Sequence, residues 1–142
     1  MHALLRHQLY TLLSRVNVVR GQYEARRATL LGLQLFKSFQ KLVEKNFAKL
    51  HQAADYADLP GCSGKSLKRA AMEAAEVKAK EVIASRINLE AKRLPTYTTL
   101  PVALIGDCLG FDEPTNFVKF FKREAGCSPG EFRRSQDEAR TL

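Results

Sequence analysis

The sequence is poor in the features that build disulfide scaffolds, metal centres and membrane spans. It has no tryptophan, and its three cysteines, Cys62, Cys108 and Cys127, are widely spaced with no CxxC pair. That pattern disfavours a disulfide framework and a zinc site, and it is typical of a protein in a reducing compartment. No apolar run approaches the roughly 20 residues that span a bilayer, so we expect a soluble, cytoplasmic protein with no membrane partner.

The residue combinations that enzymes use are missing as well. His2, His7 and His51 are scattered along the chain and form no cluster with the cysteines. No nucleophile–base pair, pair of catalytic acids or phosphate-binding glycine loop is evident. We therefore expect no enzymatic activity, no catalytic or metal-ligating residue and no cofactor.

The composition instead favours a small helical protein with an acidic partner. The chain has 142 residues and a formal net charge of +8, which suits a polyanion such as a nucleic acid. Alternation of β-branched and polar residues is nowhere sustained, whereas apolar residues recur at helical spacing along most of the chain. The sequence thus predicts an all-α fold.

Residues 3–20 carry apolar side chains at alternating spacings of four and three. We call these five positions the N-terminal seam: Leu5, Leu9, Leu12, Val16 and Val19. A heptad pattern of this kind is typical of a helix that pairs with a second helix, and it makes the seam a candidate dimer interface. An amphipathic helix packed on its own domain has the same pattern, and the sequence leaves both interpretations open. The polar stretch 21–29 predicts the end of this helix and a domain boundary near residue 28.

Two units further along share one plan, a short helix, a turn with glycine and a second helix, which is helix-turn-helix spacing. In chain order we predict a helix at 30–51, a first unit at 53–75 with a turn at Pro60-Gly61, a connecting helix at 78–94 stopped by Pro95, a second unit at 101–124 closed by Gly126, a last helix from Ser128 to about Arg134, and a frayed tail at 136–142.

The second helix of each unit has one polar and one apolar face. At 100° per residue, Phe117, Phe120 and Phe121 fall on one side of helix 114–124, opposite its cations, amide and hydroxyl. These polar groups are the ones that bond phosphates and base edges. The outer faces consist of Lys65, Lys68, Arg69 and Met72 in the first unit, and of Thr115, Asn116, Lys119, Lys122 and Arg123 in the second.

At this point the sequence resembles a known family. The stretch IGDCLGFDEPTNFVKFFKREAGCSPGEFRR is similar to the second helix-turn-helix of AraC/XylS-type transcription regulators. The matching positions are Ile105-Gly106, Gly110-Phe111, Phe117, Phe121-Lys122-Arg123, Gly126, Ser128-Pro129 and Phe132-Arg133. Upstream, SRINLEAKRL resembles the connecting helix through Arg86, Glu90-Ala91 and Leu94, and CSGKSLKR resembles the first recognition helix through Ser63, Leu67 and Arg69.

The resemblance implies two recognition helices that enter adjacent major-groove segments of double-stranded DNA, within a domain at 29–135. By the same resemblance the base-reading residues are Lys65, Lys68, Arg69, Thr115, Asn116 and Lys119, with Lys122 as a phosphate contact. It also implies contacts with RNA polymerase. Residues 1–28 look like the closing dimerisation helix of the family's sensor domain alone, so we expect no small-molecule effector for this chain.

Three features depart from the family pattern, and all lie in or near the first unit. Pro60 precedes the turn glycine where leucine is usual, Glu76 ends the first recognition helix where glycine is usual, and Pro95 replaces the second residue of a leucine pair. Two functions stay open. The leading hypothesis is a sequence-specific DNA-binding transcription regulator. The alternative is a truncated regulator that forms a heterodimer with a full-length relative through the N-terminal seam, without binding DNA itself.

Overall fold

The computed structural model describes residues 2–58 and 62–141, and within them the chain is all-helical, as predicted. The helices are α1 (His2–Asn46), α2 (Ala53–Ala57), α3 (Gly64–Ala75), α4 (Ala79–Tyr97), α5 (Val102–Cys108), α6 (Pro114–Ala125) and α7 (Pro129–Arg140). The predicted Pro60-Gly61 turn lies outside the described residues. No helix in the described part combines the length and the apolar character needed to cross a membrane.

The first helix is one continuous element of 45 residues, so the predicted break at residues 21–29 is wrong. Within that stretch, only Gly21 has a strongly unfavourable helix propensity. A single glycine destabilises a helix by only about 1 kcal/mol relative to alanine. Local contacts offset part of it. Arg20 Nε donates to Glu24 at 3.0 Å one turn on, and the Thr29 hydroxyl donates to the carbonyl of Ala25 at 3.0 Å. The placement of a domain boundary near residue 28 stays a prediction.

Three other helix ends differ from the predicted ones. The first helix stops at Asn46 rather than near residue 51. The connecting helix α4 continues past Pro95 to Tyr97. Pro95 is buried there, and the hydroxyls of Thr96 and Thr98 donate to the carbonyls of residues 92 and 94 in this last turn. The last helix extends to Arg140, so the predicted end near residue 134 and most of the predicted frayed tail are wrong.

The core consists of two clusters joined by α4. The first cluster is built on Phe39, Tyr56, Leu67 and Ile83, which are all fully or almost fully buried. The second is built on the C-terminal half of α4 and on α5 and α6, and its fully buried members include Ile105, Phe117 and Phe121. The N-terminal half of α4 therefore belongs to the first helix-turn-helix unit and its C-terminal half to the second.

The two units also touch through the turn between α5 and α6. Gly110 has a φ of +79°, and a Cβ atom there would lie 2.9 Å from the carbonyl carbon of Ala48 and closer still to its oxygen. Next to it, Nε2 of His51 donates to the carbonyl of Leu109 at 2.8 Å, and the His51 ring lies 4.9 Å from that of Phe111. Only glycine fits at this approach, so the turn of the second unit is docked on the segment that follows α1.

The helix α1 is also linked to α4 by an ion pair between their side chains. The guanidinium of Arg86 donates to both carboxylate oxygens of Glu44, at 2.7 and 2.9 Å, and lies 4.0 Å from the centre of the Phe47 ring. Hydrogen bonding from Arg86 lowers the pKa of Glu44 below its ordinary value of 4.5. The pKa of Glu90 is lowered mainly by its hydrogen bond from Arg93, with a smaller contribution from Arg86. The two parallel hydrogen bonds between Arg86 and Glu44 fix the crossing of α1 over α4.

Candidate nucleic-acid interface

The helix α6 separates its aromatic and polar side chains as predicted. Phe117 and Phe121 are fully buried and Phe120 is 9% exposed. Their rings also contact neighbouring aromatic rings. The ring centre of Phe111 lies 5.4 Å from that of Phe117 and 5.3 Å from that of Phe120, and the ring centre of Phe121 lies 5.5 Å from that of Phe132. Exposed side chains cover the opposite face, at Thr115, Asn116, Lys119 and Lys122. The aromatic anchors hold α6 rigidly while this polar face stays available to a ligand.

Backbone features bring α6 close to α5 and fix its ends. A Cβ on Gly106 would meet the Cβ of Phe117 at 3.0 Å, so glycine allows the two helices to approach. Pro114 occupies the first helical turn, and Gly126 adopts a left-handed conformation with φ of +80° at the end, as predicted for that glycine. Glu113 is the N-cap residue, but its side chain makes no capping hydrogen bond. Glu113 therefore acts on the helix only through its charge near the N-terminus.

The helix α3, the first of the two predicted recognition helices, has the same organisation with smaller buried side chains. Leu67, Ala70 and Ala71 are buried, while the predicted outer residues Lys65, Lys68, Arg69 and Met72 are exposed. The side chain of Ser63 accepts a hydrogen bond from the Ser66 amide at 3.1 Å, as expected of an N-cap.

The end of α3 departs from easy backbone geometry. Glu76 has a φ of 55°, which is left-handed and unusual for a residue with a side chain, and its amide donates to the Met72 carbonyl at 3.0 Å. The chain thus keeps the helix ending that glycine usually provides, at a cost in backbone strain of about 1–2 kcal/mol.

Two of the exposed arginines have partners within the protein. Arg123 lies 5.4 Å from the centre of the Phe120 ring, and its Nε is 3.0 Å from a Glu124 carboxylate oxygen. Arg69 is 3.8 Å from Glu73, one turn further along α3. Exposed ion pairs of this kind contribute little, so both arginines stay available to a ligand.

The N-terminal seam does not pack on its own domain. Its five residues, Leu5, Leu9, Leu12, Val16 and Val19, are between 56% and 63% exposed. The interpretation of these residues as an internal packing face is therefore wrong. Their role as a dimer interface stays a prediction.

Sequence reasoning missed the role of His51. The scattered histidines gave no cluster, yet His51 bridges the two helix-turn-helix units through Leu109 and Phe111. Its main partner is 58 residues away, and no local pattern signals a contact of that separation. In the parts of the chain that the structure describes, no group of three or more histidine, cysteine or acidic side chains could hold a metal ion.

Comparisons with known proteins agree with this geometry. A family model described as a helix-turn-helix domain matches residues 56–135. The Escherichia coli arabinose operon regulatory protein is 41% identical over 49 residues, which are 34% of this chain and 17% of that protein. The E. coli RCS-specific HTH-type transcriptional activator RclR is 49% identical over 35 residues, 25% of this chain and 12% of that protein. The alignments therefore span less than a fifth of these relatives.

Solved structures show the same fold. The C-terminal domain of AraT, a response regulator from Geobacillus stearothermophilus, superposes with a TM-score of 0.68 at 22% identity, over 71% of this chain and 84% of that domain. The DNA-binding domain of AdpA, solved in complex with a target DNA, also gives a TM-score of 0.68, at 17% identity over 75% of this chain and 96% of that domain. With more than half of its length matched by the family model, the chain belongs to the AraC-type family of helix-turn-helix DNA-binding domains.

Proposed function

We propose that this protein is a transcription regulator that binds double-stranded DNA in a sequence-specific way through α3 and α6. The observation that carries the proposal is α6 itself. Three phenylalanines anchor one face, while the other presents an amide, a hydroxyl and two lysines to solvent. An anchored helix with such a face can enter the major groove and read base edges.

Each polar residue has a distinct proposed role. Asn116 has the amide that pairs bidentately with adenine, and Arg69 has the guanidinium that pairs with guanine. Lys65, Lys68, Thr115 and Lys119 complete the base-reading faces. Lys122 lies one turn after Lys119, and we assign it to a phosphate. The relatives named above include an operon regulatory protein and a transcriptional activator, which supports regulation of transcription as the outcome of binding.

The proposed site of action is the cytoplasm, on the bacterial nucleoid. RNA polymerase is the expected protein partner of a bound regulator. We further propose that the N-terminal seam pairs with another helix, since its apolar residues are all exposed.

Selection from a random DNA pool, repeated at two salt concentrations, tests the DNA-binding proposal. Two short enriched boxes about one helical turn apart are the expected result, because each recognition helix reads one groove segment. One enriched box would restrict reading to a single helix. Binding that disappears with salt and enriches no sequence would reduce the interaction to phosphate attraction and would refute sequence-specific regulation. The alternative function, pairing with a longer relative in the absence of DNA binding, would then be favoured.

A further inference from the structure

The exposed seam is longer than the sequence pattern indicated, because α1 is continuous. The alternating spacing of four and three continues beyond Val19 to Leu33. The extended seam therefore consists of Leu5, Leu9, Leu12, Val16, Val19, Tyr23, Arg26, Leu30 and Leu33. Its eight apolar members are between 38% and 67% exposed. At 1.5 Å per residue the extended seam runs for about 42 Å, which is four heptads of helix.

The extended seam faces away from the DNA-binding domain. The core side of α1 is given by Phe36, Phe39 and Val43, which are buried in the first cluster. On a projection of 100° per residue, the mean directions of the core side and the extended seam differ by about 150°. A second helix can therefore lie along the extended seam without contacting α3 or α4.

The charges beside the extended seam have a single sign. On one stretch of α1, the apolar side chains of Leu12, Val16, Val19 and Tyr23 lie next to Arg15 and Arg20. In the heptad these two arginines occupy the positions that flank the apolar residues, and Arg6 and Arg27 occupy equivalent ones. None of the flanking positions is acidic, and the first acidic residue of the chain is Glu24. Flanking charges of this kind select the partner of a helix pair.

This arrangement disfavours a second copy of the chain as the partner. In a parallel pair, Arg15 would face Arg20 of the second copy, and Arg26 would meet its own equivalent inside the seam. In the antiparallel alignment that places Leu9 opposite Val19, Arg15 would face Arg15 of the second copy. Every such pairing brings two cations together, which specifies against self-association.

We propose that the extended seam binds an amphipathic helix of a different protein, with an apolar seam flanked by aspartate or glutamate. This names the partner class for the proposed helix pairing and does not depend on DNA binding. Since α1 continues without a break from the extended seam into the core, a helix bound there is fixed to the reading domain. When α3 and α6 bind DNA as proposed above, the interaction would also attach a second protein to that DNA.

Two synthetic four-heptad peptides test the proposal. Both have leucine at the seam positions. One has glutamate at all flanking positions and the other has lysine there. Fluorescence anisotropy with the full chain should show at least tenfold tighter binding of the glutamate peptide, with the preference reduced at high salt. Equal affinity for both peptides, or no binding of either, would overturn the proposal.

Charge reversal provides the sharper test. The double variant Arg15→Glu/Arg20→Glu should prefer the lysine peptide. The matched control Lys41→Glu/Lys45→Glu changes the net charge equally on exposed positions of the same helix, beyond the extended seam, and should keep the glutamate preference. A preference that follows net charge, changing alike in both variants, would refute recognition at the seam.

Two further measurements separate the other occupants. Sedimentation of the full chain alone at micromolar concentration should give a monomer. A dimer that Leu9→Glu/Leu12→Glu dissociates would identify a second copy as the partner, and strong binding to anionic phospholipid vesicles without peptide discrimination would identify a lipid surface. Either result contradicts the proposal. Because the DNA selection is scored separately, loss of peptide binding with intact DNA reading rejects only the inference about the seam.

Discussion

The substitution Gly110→Ala should destabilise the protein more than a backbone argument alone predicts. Gly110 has a left-handed backbone, and an added Cβ would lie 2.9 Å from the carbonyl carbon of Ala48 and closer to its oxygen. The backbone conformation costs a residue with a side chain about 1–2 kcal/mol. Forcing a methyl group into a packed contact adds about 1–3 kcal/mol. We therefore expect a loss of about 2–5 kcal/mol in the free energy of unfolding.

A second glycine in this chain separates the two contributions. Gly126 has almost the same φ, +80° against +79°, but a Cβ added there would have no atom within 4 Å beyond its immediate neighbours. The substitution Gly126→Ala should therefore cost only the backbone contribution, about 1–2 kcal/mol. Urea unfolding followed by circular dichroism measures both variants under the same conditions.

The difference between the two variants tests the reasoning. If Gly110→Ala costs no more than Gly126→Ala, the turn between α5 and α6 can move away from Ala48 without loss, and this close approach does not stabilise the fold. A larger cost for Gly110→Ala should be accompanied by weaker binding to a two-box DNA site, because the same contact fixes one unit against the other.

Three further predictions concern reading, helix ending and acid stability. Asn116→Ala should relax base preference at one position of the DNA site, by about 1–3 kcal/mol of discrimination. Lys122→Ala should weaken binding to all sequences alike and reduce by about one the slope of log affinity against log salt concentration. Quantitative DNA titration measures both variants, and a uniform loss of affinity in both would contradict the assigned base-reading face. Glu76→Gly should stabilise the protein by about 0.5–1 kcal/mol in urea unfolding by relieving its left-handed strain, while the control Glu76→Ala should give no such gain. Because the pKa of Glu44 is lowered in the folded state, its contribution is present above pH 4.5 and lost as the pH falls below that value, so the free energy of unfolding of Glu44→Gln should vary less steeply with pH there; an identical slope would contradict the pair with Arg86.

Local patterns in the sequence were sufficient to predict the reading helices. In α6 the helical spacing of the three phenylalanines determines which face is buried. In α3 the spacing of Leu67, Ala70 and Ala71 determines the buried face in the same way. Caps and stops with strong conformational preferences, such as Ser63 and Gly126, were also predictable, because each acts within a few residues of itself.

The failures occurred where an outcome depended on weak local penalties or on distant contacts. Gly21 alone does not end the helix, because side chains on either side of it, such as Arg20 and Glu24, form hydrogen bonds along the helix. The polar stretch there was therefore misread as a boundary. Pro95 was misread as a stop because its burial in the folded chain was not visible from the sequence. The bridge from His51 to Leu109 joins residues 58 apart, and no periodicity indicates it.

The helix α1 extends well beyond the packed part of the domain. Its buried contacts begin near Phe36, whereas residues 4–31 are exposed along every side of the helix. Tertiary packing provides most of the stability of helices in proteins, so this part of α1 depends on helix propensity and on pairs such as Arg20–Glu24. A partner helix on the extended seam would supply the missing packing. Binding and helix formation would then be coupled, with the buried end of α1 at Phe36 serving as the template from which the exposed part extends.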